Sequence, residues 1–300
     1  MIEIKKLYKS LGGKKVIENT DSVIEKGSIY GLIGSNGAGK STLLNLISGV
    51  YKADKGEVLI NGENVYENIK IKNKIAYIAD ELFYFNAYNM KEMAEYLNIT
   101  YPSFSMAKFY EIAEKFPLDI KARISSFSKG MKRQASVVFA LSQNPDILLC
   151  DECFDGLDPV IRQLVKRLFI KEVSDRGMTV IISSHSLREM ENLCDVIGIL
   201  HNNRIILEKS IDDVKNRVHK IQLAFKPMIS EDKLPCELDI IKCDIKGNMM
   251  ELVARGEADF ILDKLNSLNP IISEEIPVSL EDVFIYEMEV SGYDFAKILV

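Results

Sequence analysis

Residues 28–49 read SIYGLIGSNGAGKSTLLNLISG, and this stretch decides the fold. Ser28–Ile33 is a short apolar run with a β-branched component, the pattern of a buried strand. A glycine cluster follows. From Lys40 to Ser48 the apolar residues Leu43, Leu44 and Ile47 fall at helical spacing, and Gly49 stands where a helix-ending glycine belongs. Downstream, Ile147–Cys150 (ILLC) and Thr179–Ser183 (TVIIS) are further runs of buried-strand type. Between them a helix is predicted over Pro159–Arg176, with Asp158 as its cap, Pro159 at its first position and Gly177 past its end. Strands alternating with helices predict an α/β fold on a mainly parallel sheet. Residues 86–140 carry a helical pattern instead and read as a helical insertion into it.

Gly34-Ser35-Asn36-Gly37-Ala38-Gly39-Lys40-Ser41 matches G-x-x-x-x-G-K-[ST] between a predicted strand and a predicted helix, the context that gives the pattern its meaning. Glycines let successive backbone N–H groups turn inward around phosphate oxygens, and the helix N-terminus adds a positive dipole. Lys40 would reach the β- and γ-phosphates and the Ser41 hydroxyl would ligate Mg²⁺. A glycine-rich turn with an incidental lysine is the competing reading. The bare pattern arises in on the order of one per cent of chains this long. A phosphate loop of this kind needs a metal-side carboxylate on a neighbouring strand, and ILLC ends in the adjacent acids Asp151 and Glu152. A helix cap explains one acid but not two, because paired carboxylates at a buried strand end need a cation. Asp151 is the Mg²⁺ candidate and Glu152 the candidate for polarising an attacking water.

Hydrophobic residues make up 47% of the 300 and charged residues 27%, which excludes wholesale disorder. The net charge of −6 argues against a surface built to coat nucleic acid or an anionic membrane. No apolar run approaches the ~18 residues of a membrane span, and the opening MIEIKKLYKS lacks the apolar core of a secretory signal. Five scattered cysteines fit reduced thiols, so a soluble cytosolic chain is expected. Cys150 and Cys153 have C-x-x-C spacing, but no second pair follows to support zinc, and Cys150 lies in an apolar strand. Residues 216–300 hold 9 basic and 16 acidic side chains against 29 and 28 in residues 1–215, so a boundary is expected near 210–217. The tail reads as a small α+β domain: a strand at Lys220–Phe225, a hairpin from Leu238–Asp244 to Met249–Ala254, a helix at Ala258–Leu268, a strand at Ile271–Ile276 and a closing helix at Leu280–Met288.

Further motifs in order make the chain resemble the ATP-binding subunits of ATP-binding cassette (ABC) transporters. Ser126–Gln134 (SFSKGMKRQ) stands where that family carries its LSGGQ signature, Gly156-Leu157-Asp158 matches the D-loop, and Ser184-His185 matches the switch histidine. The resemblance spans about residues 2–215. It implies a P-loop ATPase core (1–215) with a helical subdomain near 86–140, followed by the accessory α+β domain 216–300. Ser35, Asn36, Gly37, Ala38, Gly39, Lys40, Ser41 and Thr42 are then the nucleotide-binding loop, with ATP and Mg²⁺ as ligands. It also implies two cassettes packed head to tail, as homodimer or heterodimer. In that arrangement Ser128, Lys129 and Gly130 meet the γ-phosphate held by the partner's Lys40, His185 contacts the γ-phosphate of its own site, and Asp158 links the sites.

The signature departs from the family: Lys129 replaces a glycine and Met131 the glutamine. Asp80 aligns with the Q-loop glutamine, with Glu81 as the alternative, and would hold a metal-bound water. The adenine-stacking aromatic would fall near Leu11, which leaves Tyr8 as the candidate. Phe83, Tyr84, Phe85 and Tyr88 are either helical-subdomain core or the wall of a groove for a membrane partner. FSKGM-type signatures with acidic extensions resemble exporters whose permease is a separate chain, though importers share the same machinery. This implies a subunit peripheral on the inner face of the cell membrane, with no nucleic-acid partner. A ribosome- or chromosome-associated ABC ATPase is the alternative. It is disfavoured by the single P-loop, by the short span from Lys40 to Asp151, which leaves no room for a long coiled coil, and by the acidic tail. A small-molecule kinase would leave the signature and His185 without a purpose.

Overall fold

The computed structural model describes residues 1–85, 87–215, 217–279 and 281–285. They divide into two compact units, residues 1–208 and 209–300. The first runs through β1 (Ile2–Leu11), β2 (Lys14–Ile24), β3 (Ile29–Ile33), α1 (Lys40–Ile47), β4 (Lys55–Ile60), β5 (Glu63–Asn64), α2 (Ile69–Lys72), β6 (Ile75–Ile78), α3 (Met90–Thr100), α4 (Met106–Ala113), α5 (Lys129–Ser142), β7 (Ile147–Asp151), α6 (Pro159–Arg176), β8 (Thr179–Ser184), α7 (Leu187–Met190), β9 (Val196–His201) and β10 (Arg204–Ser210).

The central sheet has the order β10-β9-β3-β8-β7-β6, and β9, β3, β8, β7 and β6 are parallel. Every residue of β3, β7 and β8 is buried, as parallel strands covered on both faces require. The pairing Ile33↔Ser184 and Asp151↔Ser183 brings the loops after β3, β7 and β8 to one edge of the sheet. This carboxyl edge is where open α/β sheets bind ligands. Leu43, Leu44 and Ile47 of α1 share a core with Ile2 and Leu7 of β1, Leu149 and Ile181. At ~1.5–3 kcal/mol for each fully buried aliphatic side chain, that packing fixes where α1 starts. α6 keeps the predicted ends: Asp158 accepts from the N–H groups of Val160 and Ile161, and Gly177 takes φ 64°. In the expected helical region α3, α4 and α5 form the subdomain, and α3 opens with an Asn89–Glu92 capping box.

An antiparallel sheet, β2-β1-β4-β5, was not legible from the sequence. Its β1 starts in alternation at Ile2 and Ile4, but the pairing slips before Leu7 and twice more before Ser10. Lys6 there adopts φ 44°, so the buried residues change phase and the period of two is lost.

The second unit has the sheet order β12-β13-β11-β14 beside α8 (Ile211–Lys215) and α9 (Ala258–Asn266), with β11 (Val218–Ala224), β12 (Asp239–Lys246), β13 (Met249–Arg255) and β14 (Ile272–Ile276) all antiparallel to their neighbours. Ile221, Leu223, Met250 and Leu252 pack under Ile261 and Leu265 of α9. The hairpin turns at Gly247, φ 64°. Residues 281–285 are helical; the remainder of the predicted closing helix lies outside the described residues. No helix among the described residues is long and apolar enough to cross a membrane.

Candidate nucleotide site

The loop from Gly34 to Gly39 is pinned from both sides. A Cβ on Gly34 would lie 2.5 Å from the Leu200 carbonyl oxygen, and one on Gly39 2.8 Å from that of Val16. Gly39 also holds φ 110°, a conformation only glycine adopts at low cost, and it turns the chain directly into α1. Lys40 is 6% exposed. Its ammonium donates to the carbonyl oxygens of Gly34 at 2.7 Å and Ser35 at 3.3 Å, and lies 3.3 Å from Glu152 Oε1. The cation is therefore held inside the loop by groups that a phosphate can replace.

Val16, Asn36, Gly37, Gly39, Lys40, Ser41, Thr42, Asp80, Asp151 and Glu152 line one cleft. The sequence-predicted loop and acids thus meet in one place. Asp151 is buried and accepts a hydrogen bond from the Ser183 hydroxyl. Tyr77 stands beside it: burial, and next the Asp151 charge, push its hydroxyl pKa well above the ordinary tyrosine value. Glu152 adopts φ 47°, an uncommon conformation for a side chain of this size. Its N–H donates to the Ser183 carbonyl at 3.3 Å and hydroxyl at 3.1 Å, which holds the turn. Its Oε2 lies 3.1 Å from His185 Nδ1, and Oε1 is buried without a hydrogen bond. Ser41, Asp151 and Asp80 bring a hydroxyl and two carboxylates to this cleft, the oxygen donors that Mg²⁺ takes.

Asp80, not Glu81, lines this cleft; Glu81 borders a separate apolar groove. Tyr8 is not among the lining residues. It pairs with Lys55 across the antiparallel sheet, with the Lys55 ammonium 5.9 Å from its ring, and the side of the cleft formed by that sheet is Val16. Ser128, Lys129, Gly130 and Asp158 also lie outside it. Ser128 caps α5, accepting from the Met131 N–H, and a Cβ on Gly130 would lie 2.5 Å from the Gly156 carbonyl oxygen. The signature and the D-loop of one chain are therefore packed together. Cys150 and Cys153 are both buried, and burial, then the Cys153 contact, raises the Cys150 thiol far above its ordinary value.

Sequence reading passed over Ser183, the strand-end hydroxyl that serves both acids, because a serine closing an apolar run is an ordinary boundary signal. Removing it takes the donor from a buried Asp151 oxygen and leaves the Glu152 N–H with the Ser183 carbonyl alone. Ser183→Ala is expected to destabilise the unit by ~1–3 kcal/mol in a denaturant titration. ATP turnover should fall about tenfold, the kinetic equivalent of ~1.4 kcal/mol.

Comparison with known proteins agrees with this geometry. Residues 17–155 match the family model for "ABC transporter". The ABC transporter ATP-binding protein YtrB of Bacillus subtilis is 32% identical over 289 residues, covering 95% of this chain and 97% of that protein. The lantibiotic transport ATP-binding protein SrtF of Streptococcus pyogenes is 34% identical over 221 residues, 72% of this chain and 93% of its own length. A solved structure described as the dimeric structure of MJ0796, a bacterial ABC transporter cassette, superposes with a TM-score of 0.65 at 23% identity over 70% of this chain and 99% of that one, a likeness of fold. With a P-loop lysine, a paired acidic strand end and His185 on one sheet edge, and a relative 32% identical over 95% of its length, the chain belongs to the ATP-binding subunits of ABC transporters and is an ATPase.

Proposed function

We propose that this chain powers an export-type transporter by closing onto a second cassette around ATP. The observation that carries the reading is the separation of two halves of a site: the Lys40 cleft is lined without any signature residue. Ser128, Lys129 and Gly130 can serve a γ-phosphate by meeting one held in the Lys40 cleft of another copy. The backbone N–H groups of residues 36–42 cradle the phosphates, and Lys40 exchanges its loop carbonyls for the β- and γ-oxygens. Ser41, Asp151 and Asp80 would hold Mg²⁺, which supplies neutralisation of the phosphate charge. Glu152 accepts the proton of the attacking water, and His185, bonded to its Oε2, fixes the carboxylate and reaches the γ-phosphate. Asp158, at the start of α6 two residues from Gly156, carries the state of one site to the other. Val16, the β2 residue that lines the cleft, is placed to meet the nucleoside.

Export is supported by the relative named for lantibiotic transport and by the FSKGM signature with its acidic second unit. A separate permease is supported by the apolar groove of Leu82, Phe83, Tyr84, Met93, Leu97 and Phe139. Tyr84 is mostly buried there and donates to the Lys132 carbonyl, whereas Phe83 is 80% exposed and stacks edge-on against Phe85. An exposed phenylalanine at the lip of an apolar groove suits a helix of a membrane partner, which would hold the subunit at the inner membrane face. Phe83→Asp is expected to leave the ATPase rate of the isolated chain within twofold of the parent and to abolish its recovery with the permease. Undiminished recovery would remove the groove from the account.

A further inference from the structure

We propose that Arg133 of α5 is a positioning residue for the metal side of the nucleotide cleft, acting through Asp80. The inference rests on the reading that Asp80 takes the metal-side role. Arg133 lies about one turn after Gly130 in α5 and is 1% exposed, the largest fully buried side chain among the described residues. Its guanidinium leaves the helix for the loop after β6. Nη1 donates to the Ala79 carbonyl at 2.7 Å, and Nη2 to the Asp80 carbonyl at 3.2 Å and to Asp80 Oδ1 at 3.0 Å. A buried guanidinium requires a counter-charge, and the carboxylate it meets is one that lines the Lys40 cleft.

Two consequences follow for the chemistry. The fork on the two carbonyls sets the backbone of residues 79 and 80, and the contact to Oδ1 fixes the Asp80 carboxylate plane, leaving its second oxygen for a metal-bound water. The shorter aspartate, at a position where a longer amide is usual, is held at the cleft wall from behind. The same side chain also ties that wall to the helix that Ser128 caps, so movement of the signature helix and displacement of Asp80 are mechanically one event. Glu81 cannot substitute, because it borders the groove and not the cleft.

The test is a double-mutant cycle on Asp80→Asn and Arg133→Gln, reading the Mg²⁺ concentration for half-maximal hydrolysis at saturating ATP, the Mn·ATP dissociation constant from loss of the free Mn²⁺ EPR signal, and the melting temperature. Arg133→Gln is expected to raise both metal constants about tenfold, the worth of one charge-assisted hydrogen bond, and to add less than twofold in the Asp80→Asn background. If Arg133→Gln does not fold, Arg133→Lys, which keeps the charge without the fork, replaces it with an expected shift of about threefold. The proposal is overturned if the arginine variants lower the melting temperature while both metal constants stay in place, or if their shift is undiminished with Asp80→Asn. If Asp80→Asn itself moves neither constant, the metal-side reading of Asp80 fails together with the tether. A shift from Asp80→Asn without one from Arg133 sinks the tether alone.

Discussion

Glu152→Gln is expected to lower ATP turnover by about 10²–10⁴-fold, the usual worth of a general base, while ATP binding stays within a few-fold of the parent. The side chain keeps its volume and one oxygen, so the turn at φ 47° and its two bonds to Ser183 survive. What is lost is the carboxylate charge between Lys40 and His185, and with it the proton acceptor for water. Because Lys40 then faces phosphate without a competing acid 3.3 Å away, affinity should stay or rise. Steady-state phosphate release against fluorescent-nucleotide titration separates the two effects. A variant retaining a tenth or more of the parent rate would move the base elsewhere.

Lys40→Ala has the opposite signature: binding fails first. The ammonium is almost fully enclosed and already hydrogen-bonded within the loop, so it meets the phosphates preorganised and desolvated. Removing a charge-assisted contact to two phosphate groups, at about 1.5–3 kcal/mol each, is expected to weaken ATP binding by 10² or more. The deletion also removes the ammonium that lies 3.3 Å from Glu152 Oε1, which is buried and without a hydrogen bond. Binding weakened less than about threefold would place the triphosphate outside this cleft.

Local chemistry carried most of this in the sequence. The P-loop was legible because its glycines answer to backbone geometry that few other sequences provide, and α6 because its cap, its N1 proline and its C-terminal glycine each act within a few residues. Asp151 and Glu152 could be assigned before their partners were known, since two acids ending an apolar strand need a cation. Contacts made at long range were not legible. Ser183 meets Asp151 only through the register of β7 and β8, and Arg133 meets Asp80 across 53 residues, so neither pairing leaves a periodic trace. The antiparallel sheet was hidden by its own bulges. Counting along a strand whose register slips also says little about which side chains reach the cleft: Val16 lines it and Tyr8 does not.

The shared site remains the centre of the account, and the molar mass of Glu152→Gln by light scattering, with and without saturating Mg·ATP, addresses it most directly. The expected result is a species of 33.9 kDa without nucleotide that doubles in mass when Mg·ATP is added and stays single when Ser128→Arg is combined with it. A mass that remains that of one chain under saturating Mg·ATP, or a doubling indifferent to Ser128→Arg, would contradict a nucleotide pocket completed by the signature of a second copy.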